Sequence, residues 1–246
     1  MDETTRMKAL RRAATNNAAW CEAVCRAHGL SPRYDGEQLW FSARRTPPMY
    51  PDAVTLEPAV SARSVVRGVD IASPGCSVKD SFADLDLVGD GFEVLFEAQW
   101  IHRPAGAPMP EPDAEAAGLE WSEVADAEEL AAWEAAFEGG DGSGGDRTFR
   151  PALLRDGIVF LAGRADGRIV AGAVASTGGG VVGVSNLFGP AWPGVLGAVC
   201  ARWPGLDVVG YEHGEDLETA VRAGFTAIGP LRVWLRPNGT GTVLAQ

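Results

Sequence analysis

Three strand-like segments follow one another with almost nothing between them: residues 158–164, 168–176 and 181–187, joined by the turns Ala165-Asp166-Gly167 and Thr177-Gly178-Gly179-Gly180. Connections this short allow only antiparallel hairpins, because a parallel neighbour needs a crossover of a dozen residues or more. An antiparallel meander is therefore predicted. After it the pattern changes to helix (194–202), strand (207–211), helix (216–223) and strand (225–235). That alternation requires helices packed on a sheet. Meander and crossovers together predict an α+β fold with a mixed α/β sheet in this half of the chain.

Two segments lead into the meander. Residues 119–124 read as a strand and 126–138 as a helix with Asp126 as N-cap, closed by the glycine-rich loop 139–146, read as a flexible surface insertion. The first half reads α-β-β-α-β-β. A helix over 5–28 places Cys21, Val24, Cys25 and His28 on one face, toward the core of its own half, and stops at Gly29. Strands at 38–43 and 53–56 flank a rigid turn, 46–52, whose prolines block helix and ladder alike. A helix over 60–70, a strand over 77–82, a turn at 89–91 and a strand over 92–103 complete it. Residues 104–118 hold four prolines and almost no large apolar side chain, as a stiff exposed connector does. The expected organisation is an N-terminal α/β domain, 1–104, a linker, 105–118, and a second domain, 119–246.

Charge and composition exclude several classes. The formal net charge is −12, and both halves contribute, 12 basic against 17 acidic residues in 1–118 and 9 against 16 in 119–246. Neither half offers a basic surface for nucleic acid. The longest apolar runs, near 157–163 and 169–175, fall well short of the roughly 20 residues of a membrane helix, so no membrane partner is expected. Cys21, Cys25, Cys76 and Cys200 form no Cys-x-x-Cys pair and follow no hydrophobic leader, which predicts free thiols, no metal site and a cytoplasmic location. Lys79 and Asp80, neighbours on a strand, are expected to form a surface ion pair.

The order strand-helix, meander, helix, strand, helix, strand over residues 118–236 resembles the GCN5-related N-acetyltransferase (GNAT) fold. Two local matches carry the resemblance: Gly167-Arg168-Ile169-Val170-Ala171-Gly172, similar to the family's G-x-x-V-G hairpin, and Ala220-Val221-Arg222-Ala223-Gly224-Phe225, similar to its A-x-x-x-G-F before the last strand. The α-β-β-α-β-β order of the first half fits a second, degenerate unit of the same kind. The resemblance implies an N-acyltransferase that moves an acetyl or acyl group from coenzyme A to a small-molecule or amine substrate, with acetyl-CoA as cofactor. It also implies a pyrophosphate loop of the form R/Q-x-x-G-x-G/A at a helix N-terminus. Here that place reads Phe188-Gly189-Pro190-Ala191-Trp192-Pro193-Gly194-Val195, without Arg or Gln in register, and each proline deletes an N–H. The remaining backbone at Gly189, Ala191, Gly194 and Val195, with Asn186 and Leu187 at the end of the meander, is the expected cofactor contact.

The family's tyrosine acid falls on Ala220, and Tyr211 is the nearest substitute. The base is expected from the run Tyr211-Glu212-His213-Gly214-Glu215-Asp216, where a strand gives way to a helix; Glu212 and His213 lead. Helix capping by Glu215 and Asp216 explains the same acidic run without catalysis. Trp40, Tyr50, Trp100 and His102 would wall an aromatic pocket if the two halves met across a cleft. The altered loop and Ala220 together leave a second reading open, a GNAT-fold binding or partner-interaction protein without transfer activity.

Overall fold

A computed structural model describes residues 1–111, 114–139 and 147–237. Most of the glycine-rich loop, 140–146, lies outside the described residues. The first half contains α1 (Glu3–Ala27), β1 (Arg33–Asp35), β2 (Leu39–Phe41), β3 (Ala53–Thr55), α2 (Ala62–Gly68), β4 (Cys76–Asp80) and β5 (Glu93–Arg103). The second contains β6 (Glu120–Glu123), α3 (Ala127–Phe137), β7 (Ile158–Ala165), β8 (Arg168–Gly178), β9 (Val181–Phe188), α4 (Trp192–Arg202), β10 (Val208–Glu212), α5 (Gly214–Arg222) and β11 (Thr226–Arg236). The meander, the Asp126 cap and the helix-strand alternation stand where the sequence puts them. The short strand β1 is an addition, paired with β2.

All the strands form one 11-stranded sheet in the order β1-β2-β3-β4-β11-β5-β10-β9-β8-β7-β6. At its centre β5 and β11 run antiparallel along most of their length. Outward from that pair the two arms repeat one arrangement. In each, an antiparallel meander (β1-β2-β3, or β7-β8-β9) ends in a strand that pairs parallel with the next, β3 with β4 and β9 with β10. Helices α2 and α4 make the two crossovers. The last strand of each half sits against the other arm, β11 on β4 and β5 on β10. The connector 105–118 thus divides the sequence but not the sheet, since β5 precedes it and fills a gap in the second arm. It is also tacked down at its start, where Arg103 Nη2 donates to Ala107 O and Pro108 O, and Ala105 N–H donates to Asp207 Oδ1 at 2.9 Å.

Helix α1 does not confine itself to the first half. Its long apolar face, including Leu10, Ala14, Trp20 and Val24, shares a core with Trp100 and Leu231 of the central strands and with Phe160 and Val174 of the second arm. Trp20 stacks on Phe149 at 6.4 Å and meets Tyr50 and Phe160 edge-on. Each such ring pair contributes on the order of 1 kcal/mol beyond its buried area. Helices α4 and α5 cover the opposite face of the second arm, and α2 that of the first.

Candidate active site

In the second arm β9 and β10 pair only at Val182–Val208 and Gly183–Val209, then part. The cause lies on the far edge of β9. Against β8 the register jumps from Gly172–Phe188 to Val174–Ser185, so Asn186 and Leu187 together oppose Ala173. Asn186 takes φ 52° there, a left-handed conformation that Asn tolerates better than most side chains. A bulge bends the strand and re-aims its backbone. Residues 184–188 and 210–212 consequently show their facing edges to a gap, with main-chain donors and acceptors unused in a ladder.

The gap opens into a cavity of about 850 Å³ lined from both halves. Val184, Ser185, Asn186 and Leu187 form one wall, Tyr211 and Glu212 a second. The proline-rich turn, Pro47 to Pro51, closes a third, and Lys79, Phe96 and Val233 of the central strands make the floor. The turn is held rigidly. Asp52, fully buried, accepts from Thr46 N–H at 3.0 Å and Ser77 N–H at 2.9 Å and pairs with Arg45, whose other nitrogen bonds Asp70 O and Ser73 O. Thr46 Oγ1 donates to Tyr50 O at 2.6 Å.

The fold is shared with known structures. Similar structures include a GCN5-related N-acetyltransferase from Kribbella flavida (16% identity, 92% of this chain and 96% of that chain, TM-score 0.59). A putative GNAT-family acetyltransferase from Novosphingobium aromaticivorans matches over 92% of this chain and 99% of that chain at 15% identity and TM-score 0.52. A tandem GNAT protein from the clavulanic acid biosynthesis pathway covers 98% of this chain and 97% of that chain at 12% identity and TM-score 0.52. The chain has the GNAT fold. No family model and no curated protein matches it. The GNAT-like neighbours span both halves, so the fold extends past the C-terminal region in which the sequence motifs lie.

Within that fold the expected site residues divide. Asn186, Leu187, Tyr211 and Glu212 line the one cavity. Burial, and then the neighbouring Asp216, push the Glu212 carboxyl up to about 7. Tyr211 is half-buried, edge-on to Trp100 at 5.6 Å, with Lys79 Nζ 4.0 Å from its ring centre. His213 is exposed at the start of α5, its ring 5.8 Å from Phe96, and with Glu212 lines a smaller cavity of about 340 Å³. It occupies the N-cap position of α5 without a side-chain bond.

Gly189, Ala191, Gly194 and Val195 stand apart from the large cavity. Ala191 and Val195 are buried, and their N–H groups already serve Gly189 O at 2.8 Å and Ala191 O at 2.9 Å. With Pro190 and Pro193 lacking donors, Trp192 and Gly194 keep the first-turn N–H groups outside those bonds. Trp121 of β6 lies against Gly194 so closely that an added Cβ would sit 2.1 Å from its indole. Trp192 turns inward, its ring tilted against Phe225 at 4.7 Å, and Phe188 packs edge-on to Trp133, so neither ring fills the gap.

Tyr50 and Lys79 complete the site in ways the sequence conceals. Tyr50, from the aromatic set named above, lines the cavity, whereas Trp40 and His102 are buried elsewhere. Its hydroxyl is buried and has no hydrogen-bond partner among the described residues. Burial raises its pKa well above the ordinary phenol value, so it keeps its proton. Lys79 is no surface residue, being only 4% exposed, and its neighbour Asp80 is fully buried, accepting backbone N–H groups of Leu85 and Asp84. The expected ion pair does not form, because adjacent strand residues point to opposite faces and both faces are covered here.

Proposed function

We propose that the chain transfers an acetyl or related acyl group from coenzyme A to an amine held in the 850 Å³ cavity. The observation that carries this reading is the gap between β9 and β10, opened by the Asn186 bulge, leading to the half-buried Glu212 carboxyl, which is raised to about 7. The unused edges of 184–188 and 210–212 suit the amide groups of a pantetheine arm, and Asn186 and Leu187 lie where its thioester end would arrive. Trp192 and Gly194 N–H at the start of α4 are what the loop retains for pyrophosphate. Bound acetyl-coenzyme A would supply the activated acyl thioester.

The remaining chemistry falls to the chain's own side chains. Glu212 accepts a proton from the acceptor's ammonium, and a carboxyl near neutral is well matched to that task. The amine nitrogen then forms the C–N bond as the C–S bond breaks. Tyr211, beside the gap, is the proposed donor of the proton that the departing sulfur takes up. His213, outside the large cavity, is assigned no step.

One observation favours the other reading, a partner module without transfer activity. The Trp121 indole on Gly194 narrows a helix start already short of donors. Calorimetric titration with coenzyme A, followed by a thiol-release assay over an amine panel, separates the two. Binding and amine-dependent release support the transferase; absence of binding at millimolar coenzyme A would overturn it.

A further inference from the structure

Lys79 is a cation buried without an anion. Its ammonium has three donors; one bonds Asn17 Oδ1 at 2.9 Å, and the charge lies over the Tyr211 ring. Among the described residues no carboxylate pairs with it. A buried ammonium is costly unless it is paired, and a cation–π contact offsets only part of that. Arg45, which lines the same cavity, is by contrast engaged by Asp52, Asp70 and Ser73. Arg45 Nε is also without a partner, but the charge of Arg45 is met by Asp52, so Lys79 is the cation of this cavity that no carboxylate meets among the described residues.

A second unused donor lies near it. The buried Tyr50 hydroxyl makes no hydrogen bond among the described residues, and Tyr50, Lys79 and Tyr211 line the same cavity. Glu212, a carboxyl, lines the same cavity. The cavity is therefore bipolar, and a ligand with an amine at one end and an anion at the other complements it.

We propose that the acyl acceptor is a small amine that also bears a carboxylate, the carboxylate held by Lys79 Nζ and the Tyr50 hydroxyl. The proposal rests on the acyl-transfer reading of the same site. A carboxylate fits better than a phosphate because one cation faces the cavity unpaired, and the prolines at 47, 48 and 51 contribute no N–H to a phosphate cradle.

The chain has two lysines, and the other, Lys8, is exposed on α1, which makes a selective test simple. Protein labelled with 13C at lysine Cε is titrated with 6-aminohexanoate and benzoate, with the matching amides, and with inorganic phosphate. The proposal expects saturable movement of the Lys79 signal with both carboxylates, a still Lys8 signal, and no response to the amides. Tyr50→Phe is expected to raise the carboxylate concentration for half-saturation several-fold. Lys79→Met is expected to bind no carboxylate and to melt no lower than the parent, because it removes a buried charge. A Lys79 signal indifferent to carboxylates, equally responsive to amides, or saturated at lower phosphate than carboxylate would overturn the proposal.

Coenzyme A titration of the same sample keeps the two claims apart. Binding of coenzyme A with a silent Lys79 removes the carboxylate site alone. A carboxylate response without coenzyme A binding leaves an anion site and removes the transferase.

Discussion

The two arms of the sheet contain the same crossover, a parallel strand pair joined by a helix, yet one is sealed and the other open. In the first arm β3 and β4 pair at Ala53–Val78 and Val54–Lys79, and side chains close the space beyond. Ser81 N–H donates to Thr55 Oγ1 at 2.8 Å, Trp100 Nε1 donates to Ser81 O at 2.8 Å, and the Asp80 carboxylate gathers the N–H groups of the following turn. In the second arm the bulge at Asn186 turns β9 away from β10, and no side-chain hydrogen bond among the described residues bridges the gap. Closing a parallel pair takes a few short polar side chains, and opening one takes a single extra residue on the far edge. A two-armed sheet can thus keep one parallel pair closed and part the other, while both arms line the cavity.

The largest effect that would break this comparison is catalytic. Glu212→Gln should lower amine-dependent thiol release by roughly 10²–10⁴-fold while coenzyme A affinity stays within about twofold; an unchanged kcat/KM would remove Glu212 as base. In the sealed arm the corresponding change is structural. Asp80→Ala strands the buried Leu85 N–H and the part-buried N–H groups of Phe82 and Asp84 and should lower unfolding free energy by about 2–3 kcal/mol in denaturant melts, with the kcat of folded protein unaffected.

A smaller effect follows from the sign of the Glu212 shift. Its folded value is raised from 4.5 to about 7, so the stability it contributes is complete below the unfolded value and is lost as pH climbs through the folded one. Glu212→Gln should therefore gain on the parent by on the order of 1–2 kcal/mol between about pH 5 and about pH 8. Equal pH dependence of the two melts would show that the carboxyl is not held at a raised value. The bulge itself is probed by Asn186→Val, which places a β-branched residue at positive φ and should cost about 1–2 kcal/mol, while Asn186→Gly stays near neutral. The smallest expected change is at the helix start, where Trp121→Ala should tighten coenzyme A binding a few-fold by exposing Gly194 N–H.

The sequence made local features legible. Tight turns announced the meander, Asp126 the start of α3, and the prolines at 190 and 193 the shortage of donors before α4. Longer-range features escaped it. Nothing in residues 92–103 says that this strand completes the sheet of the other half, because pairing across a hundred residues leaves no mark in local periodicity. The face of α1 was visible, but not that its core spans both arms. Lys79 and Asp80 looked like surface residues because alternation assumes one wet face, and a central strand covered on both sides has none. Glu212 and Tyr211 could be picked out as titratable groups where a strand meets a helix; Tyr50 entered only as one of several aromatics.

The central claim is that the gap between β9 and β10, and not its sealed counterpart, receives the acyl thioester. A crystal structure grown with millimolar coenzyme A tests it most directly. The account predicts density for the pantetheine arm between residues 184–188 and 210–212, its sulfur end facing the cavity beside Glu212. Density between β3 and β4, or a gap that stays empty of ligand at that concentration, would contradict it.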